Sequence, residues 1–370
     1  MSDRVRVGVV GCGAISGAYF VGARSFPILD VVACADVDRA AAERKAREFG
    51  VPKVLSVDEL LRDDAVEVVL NLTVPKAHVP VAMAAVGAGK HTYSEKPLGI
   101  TRDEGRRLLD AAAAGGVRVG CAPDTFLGSG IQTARKLLDD GAIGRPVAFT
   151  AFMMNRGHES WHPNPQFYYE PGGGPMFDMG PYYLTALFNL FGPVRRLSGF
   201  ASIAVPDRTI TSQPRRGAKI RVETPDHVCG TIEFEGGAVG SIIQSFATHH
   251  PAYEPPNPIT VYGTEGTMKV PDPNTFDGPV FLRRGGDAEW AEVPPAFVKG
   301  YGRSVGLADM AHALRAGRPH RASGELAFAV LDAMQGFFDS SDTGRAYAPV
   351  ARFERPAPMP AHVPFGRLDE

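Results

Sequence analysis

Residues 7 to 17 read VGVVGCGAISG, and they decide the fold. An apolar run suited to a buried strand, Val5 to Val10, ends in Gly11-Cys12-Gly13 and gives way at once to the start of a helix. Placed there, Gly11 makes a tight turn and Gly13 lets the backbone approach a pyrophosphate, which then lies at the positive end of the helix. Ser16 stands where a third glycine is usual and is small enough for helix and strand to pack closely. Turn glycines are common, so the pattern gains its weight from Asp36, which follows a second apolar run, Val31 to Ala35. A carboxylate at that point accepts hydrogen bonds from both ribose hydroxyls of NAD and repels a 2'-phosphate. Dinucleotide binding is the reading, with NAD preferred over NADP; Arg39 lies close enough in sequence to keep NADP open.

Short apolar runs continue at Val66 to Leu72, His91 to Ser94 and Val117 to Cys121, between helical patterns at Arg39 to Phe49, Val57 to Arg62 and Arg102 to Ala114. Ser56 with Glu59, and Thr101 with Glu104, have the form of capping boxes. This alternation predicts a doubly wound parallel sheet, a Rossmann domain, over residues 1–123. Beyond Gly144-Arg145-Pro146 the pattern changes. Runs rich in β-branched and aromatic residues at Val147 to Met153, His227 to Phe234, Val239 to Phe246 and Ile259 to Tyr262 follow one another with glycine-rich turns. Helices are expected at Met176 to Phe191, Val305 to Ala316 and Ser323 to Ser341. The fold class is α/β, with an α+β second domain over 124–370 built on a predominantly antiparallel open sheet, its Pro-rich tail from Pro349 wrapping the surface.

The 370 residues are 44% hydrophobic and 22% charged, with a net charge of -2, a balance that gives no pull toward nucleic acid or a membrane. Cys12, Cys34, Cys121 and Cys229 show neither C-x-x-C spacing nor a disulfide framework. No apolar stretch nears the roughly 20 residues that span a bilayer, and the N-terminus lacks a secretory pattern, so a cytoplasmic location is expected.

His158-Glu159-Ser160-Trp161-His162 spells H-E-x-x-H, a zinc signature that works only on a helix, where both histidines share a face. Gly157 before it, and Pro163 and Pro165 after it, argue for a loop, so no metal is expected there. Lys96, held between the fifth strand and Pro97, emerges at the edge of the sheet where such folds bind ligands. Asp178 and Tyr182 stand four apart before an apolar helix and share a face if that helix has begun by Asp178; Tyr183 points about 100° away.

Together these residues resemble, over nearly the full chain, the glucose-fructose oxidoreductase, inositol dehydrogenase and rhizopine catabolism (Gfo/Idh/MocA) family. The motifs that carry the resemblance are Gly11-Cys12-Gly13-Ala14-Ile15-Ser16, Asp36, Thr73-Val74-Pro75-Lys76-Ala77-His78, Glu95-Lys96-Pro97 and GGGPMFDMGPYY at 172–183. It implies an NAD(P)-dependent enzyme that oxidises a secondary alcohol of a sugar or cyclitol, or reduces the matching ketone. The cofactor site it implies draws on the first four motifs, with Ala14, Ile15, Thr73, Pro75, His78, Glu95 and Lys96 among its residues. Lys96 would contact the reacting hydroxyl, and the D-x-G-x-[HY] segment would supply the acid/base. Many members carry His at the last position; this chain has Tyr182. A tyrosine titrates near 10 unaided and needs a nearby cation to act as base, a part open to Lys96, with Asp178 holding a substrate hydroxyl. The loop with Arg156, His158, Trp161 and His162 would then bind substrate, and one of its histidines is the other candidate base. Homodimers or homotetramers formed through the outer face of the second-domain sheet are also implied. Two other functions stay open: a redox-neutral glycosidase or lyase that retains NAD, and a non-catalytic dinucleotide-sensing regulator, which Lys96, Asp178 and Tyr182 disfavour.

Overall fold

Val5, Val7, Val9 and Val10 are all buried, because the strand they form is covered on both faces. The computed structural model describes residues 4–249, 257–361 and 363–369. The strand is β1 (Val5–Val10), followed by α1 (Ser16–Arg24), β2 (Leu29–Ala35), α2 (Arg39–Phe49), β3 (Lys53–Leu55) and α3 (Val57–Arg62). Next come β4 (Val68–Asn71), α4 (Pro75–Gly87), β5 (His91–Ser94), α5 (Arg102–Gly115) and β6 (Val119–Cys121). Among the described residues these strands form a six-stranded parallel sheet in the order β3-β2-β1-β4-β5-β6. The order reverses between β1 and β4, the switch point where doubly wound sheets take their ligands. Both capping boxes form: Ser56 and Thr101 accept from the amides of Glu59 and Glu104, whose carboxylates reach back. The sequence gives little sign of β3, which has three residues, or of α4, which holds Pro75 in its first turn and Pro80 inside.

After α6 (Ser129–Asp139) the chain enters a second sheet at β7 (Pro146–Met154). Then follow α7 (Gly174–Asp178), α8 (Gly180–Phe191), β8 (Val194–Ser202), β9 (Asp207–Thr209), β10 (Lys219–Arg221), β11 (His227–Phe234) and β12 (Val239–Ser245). The sheet is completed by β13 (Ile259–Gly263), β14 (Gly266–Val270), β15 (Val280–Arg284) and β16 (Ala291–Val293). Among the described residues its order is β16-β15-β14-β13-β7-β12-β11-β8, and only the β7–β12 pair is parallel. The single helix expected at Met176 to Phe191 is instead two. Pro181 has no N–H to bond the Phe177 carbonyl and so interrupts the helical ladder there; α7 ends at Asp178 and α8 starts afresh at Gly180. Asp178 and Tyr182 therefore do not lie on one continuous helix face.

The chain's last helices are α9 (Val305–Ala316) and α10 (Gly324–Thr343). Two compact units result: Met1–Gln132 with Ala296–Leu331 and Pro356–Glu370, and Thr133–Pro295 with Asp332–Arg355. This division differs from one boundary at residue 123. In the first unit α9 packs on α1 and β6, and Ser304 Oγ donates to the Tyr19 carbonyl at 2.9 Å. Gly22 admits that segment, since a Cβ there would sit 1.7 Å from the Arg303 carbonyl oxygen. A helix apolar on nearly every side, like α9, carries no mark in sequence of which sheet will cover it. The tail beyond residue 349 is free of helix and strand where described, and Met359 and Leu368 are buried. No helix of the described residues is long and apolar enough to cross a membrane.

Candidate active site

At the carboxyl end of β1, Gly11 adopts φ +101, and a Cβ there would meet the Leu72 carbonyl and the Thr73 amide nitrogen at 2.7–2.9 Å. The turn needs glycine at that point. A Cβ on Gly13 would meet nothing within 4 Å, so the exposed Gly13-Ala14-Ile15 turn faces open space at the amino end of α1. Ser16 is buried and its hydroxyl donates to the Gly13 carbonyl at 2.7 Å, so it braces the turn. Asp36 accepts from the Cys12 amide at 2.6 Å and from the Asp38 amide at 2.8 Å, which fixes its carboxylate beside the glycine turn. Arg39 is paired with Glu43 at 3.2 Å. Open space over Gly13 and a carboxylate pinned at the end of β2 fit a dinucleotide.

Beyond β5, Glu95 is buried, with one oxygen accepting from Tyr19 Oη at 2.7 Å and the other from the Lys96 amide at 3.0 Å. Burial pushes its pKa up, but Arg303, Lys96, the Tyr19 hydroxyl and His78 together hold it below the usual carboxylate range. Arg303 also meets the fully buried Asp124 at 3.4 Å. Thr73 donates its hydroxyl to Asn71 Oδ1 at 2.7 Å, and Pro75 opens α4. His78 departs from its expected part as a cofactor contact. Its ring is 1% exposed and both nitrogens face backbone carbonyls, so it has nothing left to offer a ligand.

In the second unit, His158 Nε2 lies 3.4 Å from Asp178 Oδ2. The imidazole is stacked on Tyr168, with ring centres 3.7 Å apart, and meets Phe246 edge-on. His158 Nδ1 is buried with no hydrogen-bond partner among the described residues. Trp161, 62% exposed, and His162 flank the pair. Burial and then His158 draw the His162 pKa below the ordinary imidazole value, against a smaller opposing pull from Asp178. Tyr182 is buried in the first turn of α8, and Arg156 is exposed at the start of the loop.

Residues 5–122 match the family description "Oxidoreductase family, NAD-binding Rossmann fold", and 131–269 match "GFO/IDH/MocA C-terminal domain". The chain belongs to the Gfo/Idh/MocA oxidoreductase family. It is 27% identical to levoglucosan dehydrogenase of Pseudarthrobacter phenanthrenivorans over 295 residues, 72% of this chain and 73% of that protein. It is 29% identical to dTDP-3,4-didehydro-2,6-dideoxy-alpha-D-glucose 3-reductase of Streptomyces antibioticus, over 80% of this chain and 85% of that one. Among solved structures, an NAD binding oxidoreductase from Klebsiella pneumoniae superposes with TM-score 0.79 at 25% identity, covering 95% of this chain and all of that one.

Within this Gfo/Idh/MocA chain, the H-E-x-x-H segment forms turns, with one helical hydrogen bond from the His162 amide to the His158 carbonyl at 3.0 Å. Glu159 is committed elsewhere: it meets Arg208 Nη1 and Tyr169 Oη, each at 2.8 Å. Gly157 lies against this knot, since at φ +100 a Cβ would come within 2.2 Å of Tyr169 Oη and 2.7 Å of Arg208. Arg208, Tyr168 and Phe246, which shape the histidine loop, carried no sequence signal, because they belong to separate elements that only folding brings together. Because Glu159 is bound to Arg208, a chelator is expected to leave activity unchanged and purified protein to lack stoichiometric zinc. Zinc at one per chain, together with activity lost to the chelator, would show the opposite.

Proposed function

We propose that the chain is a dehydrogenase that moves a hydride between NAD and a secondary alcohol or ketone carbon of a sugar, glycoside or cyclitol. The observation that carries this reading is the carboxylate–imidazole pair Asp178–His158 set among Tyr168, Trp161 and Phe246. Carboxylate and imidazole suit hydroxyl groups, and the exposed indole of Trp161 suits the apolar face of a saturated ring. When bound, the nicotinamide takes or gives the hydride. Lys96 donates a hydrogen bond to the reacting oxygen, Tyr182 takes the hydroxyl proton, and Asp178 holds a neighbouring hydroxyl. Arg156, Trp161 and His162 hold the rest of the ring.

A second assignment is favoured by one observation, the unpartnered Nδ1 of His158. With Asp178 behind Nε2, that ring has the orientation of a carboxylate-backed base, and it would take the proton in place of Tyr182. A polyol and sugar screen followed by NAD reduction tests the function itself; reduction with no member of the screen counts against it.

Asp36 makes NAD the cofactor of choice by at least about tenfold, or roughly 1.4 kcal/mol, over NADP. Asp36→Ala is expected to narrow that ratio. Equal binding of the two cofactors by the unaltered protein would mean that a cation outweighs the carboxylate. Self-association through the outer sheet face belongs to the same reading, supported by Phe200, 77% exposed on β8, and by Val239 and Tyr262, exposed on strands β12 and β13 of the same sheet. A cytoplasmic site of action accords with four cysteines that are all free thiols.

A further inference from the structure

His78 lies on α4 with Nδ1 2.7 Å from the carbonyl oxygen of Pro97 and Nε2 3.0 Å from that of Thr73. Carbonyl oxygens only accept, and a neutral imidazole carries a single N–H. A neutral ring would therefore face one of these oxygens with a lone pair, the Pro97 contact being buried and the Thr73 contact partly so. With hydrogen on both nitrogens, both contacts become charge-assisted hydrogen bonds. We propose that His78 is a buried imidazolium that clasps the Thr73 loop to the Glu95-Lys96-Pro97 loop and so fixes where Lys96 emerges.

The charged neighbours divide. Burial, the largest influence, draws the imidazole pKa down and Lys96 adds to it, while the Pro97 and Thr73 carbonyls and then the Glu95 carboxylate favour the cation; together they leave the pKa below its ordinary value. Against this stands the geometry of the alternative: with two acceptors at hydrogen-bond distance, a neutral ring keeps one lone pair against a carbonyl oxygen and leaves that carbonyl without its donor. Asn71 secures the same knot: its Nδ2 donates to the His78 carbonyl at 2.9 Å and to Ser94 Oγ at 3.3 Å, and its Oδ1 accepts from Thr73 Oγ1 at 2.7 Å. One network thus joins the ends of β4 and β5 to α4. His78 acts through Pro97 and is a positioning residue.

The clasp's service to catalysis rests on Lys96 meeting the reacting hydroxyl; the charge on the ring does not. The test is NMR of the full chain with NAD added and its histidines labelled with nitrogen-15, the His78 ring being identified by through-bond correlation to its own backbone. Both ring nitrogens are expected to carry hydrogen at neutral pH. One nitrogen without hydrogen would overturn the proposal, whatever the enzyme's substrate, since no turnover is involved. In kinetics, His78→Gln is expected to lower kcat about 10- to 100-fold through a displaced Lys96, with NAD affinity held. A folded His78→Gln protein with kcat intact would overturn the positioning role.

Discussion

Replacing Tyr182 by phenylalanine is expected to lower kcat by about 10²- to 10⁴-fold while the affinity for NAD stays as it was. The side chain is buried in the first turn of α8, and phenylalanine fills nearly the same volume, so the exchange removes a hydroxyl and little packing. Oxidation of a secondary alcohol requires the hydroxyl proton to leave as the hydride departs. An enzyme without its proton acceptor therefore binds substrate and fails to turn it over, which places the loss in kcat. Lys96→Ala should be at least as damaging, since on the proposed assignment it removes the hydrogen bond to the reacting oxygen along with a positive charge. His162→Ala, by contrast, is expected to act mainly on KM, because that ring sits at the edge of the cluster with Nδ1 taken by the Asn164 amide at 3.1 Å. The competing assignment has a distinct signature. Near-full activity in Tyr182→Phe, with turnover abolished in His158→Ala, would move the acid/base to the imidazole that Asp178 backs.

The parts of this molecule that could be read in sequence are those whose causes are local. The strand-turn-helix at Gly11 to Ser16 and the two capping boxes each depend on residues within a few positions of one another, and each appears where expected; the Asp36 carboxylate meets the glycine turn from 24 positions away. The break between α7 and α8 was also local, and Pro181 marks it; an apolar run on either side concealed it. Other features depend on chain segments far apart. The His158–Asp178 contact joins residues twenty positions apart across a turn and a helix end, and Tyr19 meets Glu95 over 76 positions. His78 is instructive because its motif suggested a cofactor contact, whereas its ring nitrogens face the protein's own backbone. Only the positions of two carbonyl oxygens reveal that its ring is spent on the protein itself.

Removal of the Asp226 carboxylate is expected to cost about 3–5 kcal/mol of stability, the range for breaking a buried ion pair from one side. Arg208 is almost fully enclosed, and its guanidinium is held by Asp226 Oδ2 at 2.7 Å, Glu159 Oε1 at 2.8 Å and the Phe246 carbonyl at 2.9 Å. Asp226 is itself without solvent exposure and also accepts from the Ala204 amide at 2.6 Å and the Val205 amide at 3.2 Å. In Asp226→Ala the cation keeps Glu159 but loses its deepest partner, and two backbone amides lose their acceptor, each loss uncompensated by water. Urea or thermal unfolding of the full chain measures the cost. Because Glu159 and the Arg156 carbonyl share the same guanidinium, the histidine loop should loosen as well, seen as a raised KM in whatever fraction remains folded. Asp226→Asn keeps an oxygen for the Ala204 amide but removes the charge and turns the acceptor of Arg208 and the Val205 amide into a donor, so it too should destabilise, by no more than Asp226→Ala. A cost under about 1 kcal/mol in Asp226→Ala, the range of an exposed pair, would mean that Glu159 and the carbonyls satisfy Arg208 unaided and that the pair does not anchor the loop.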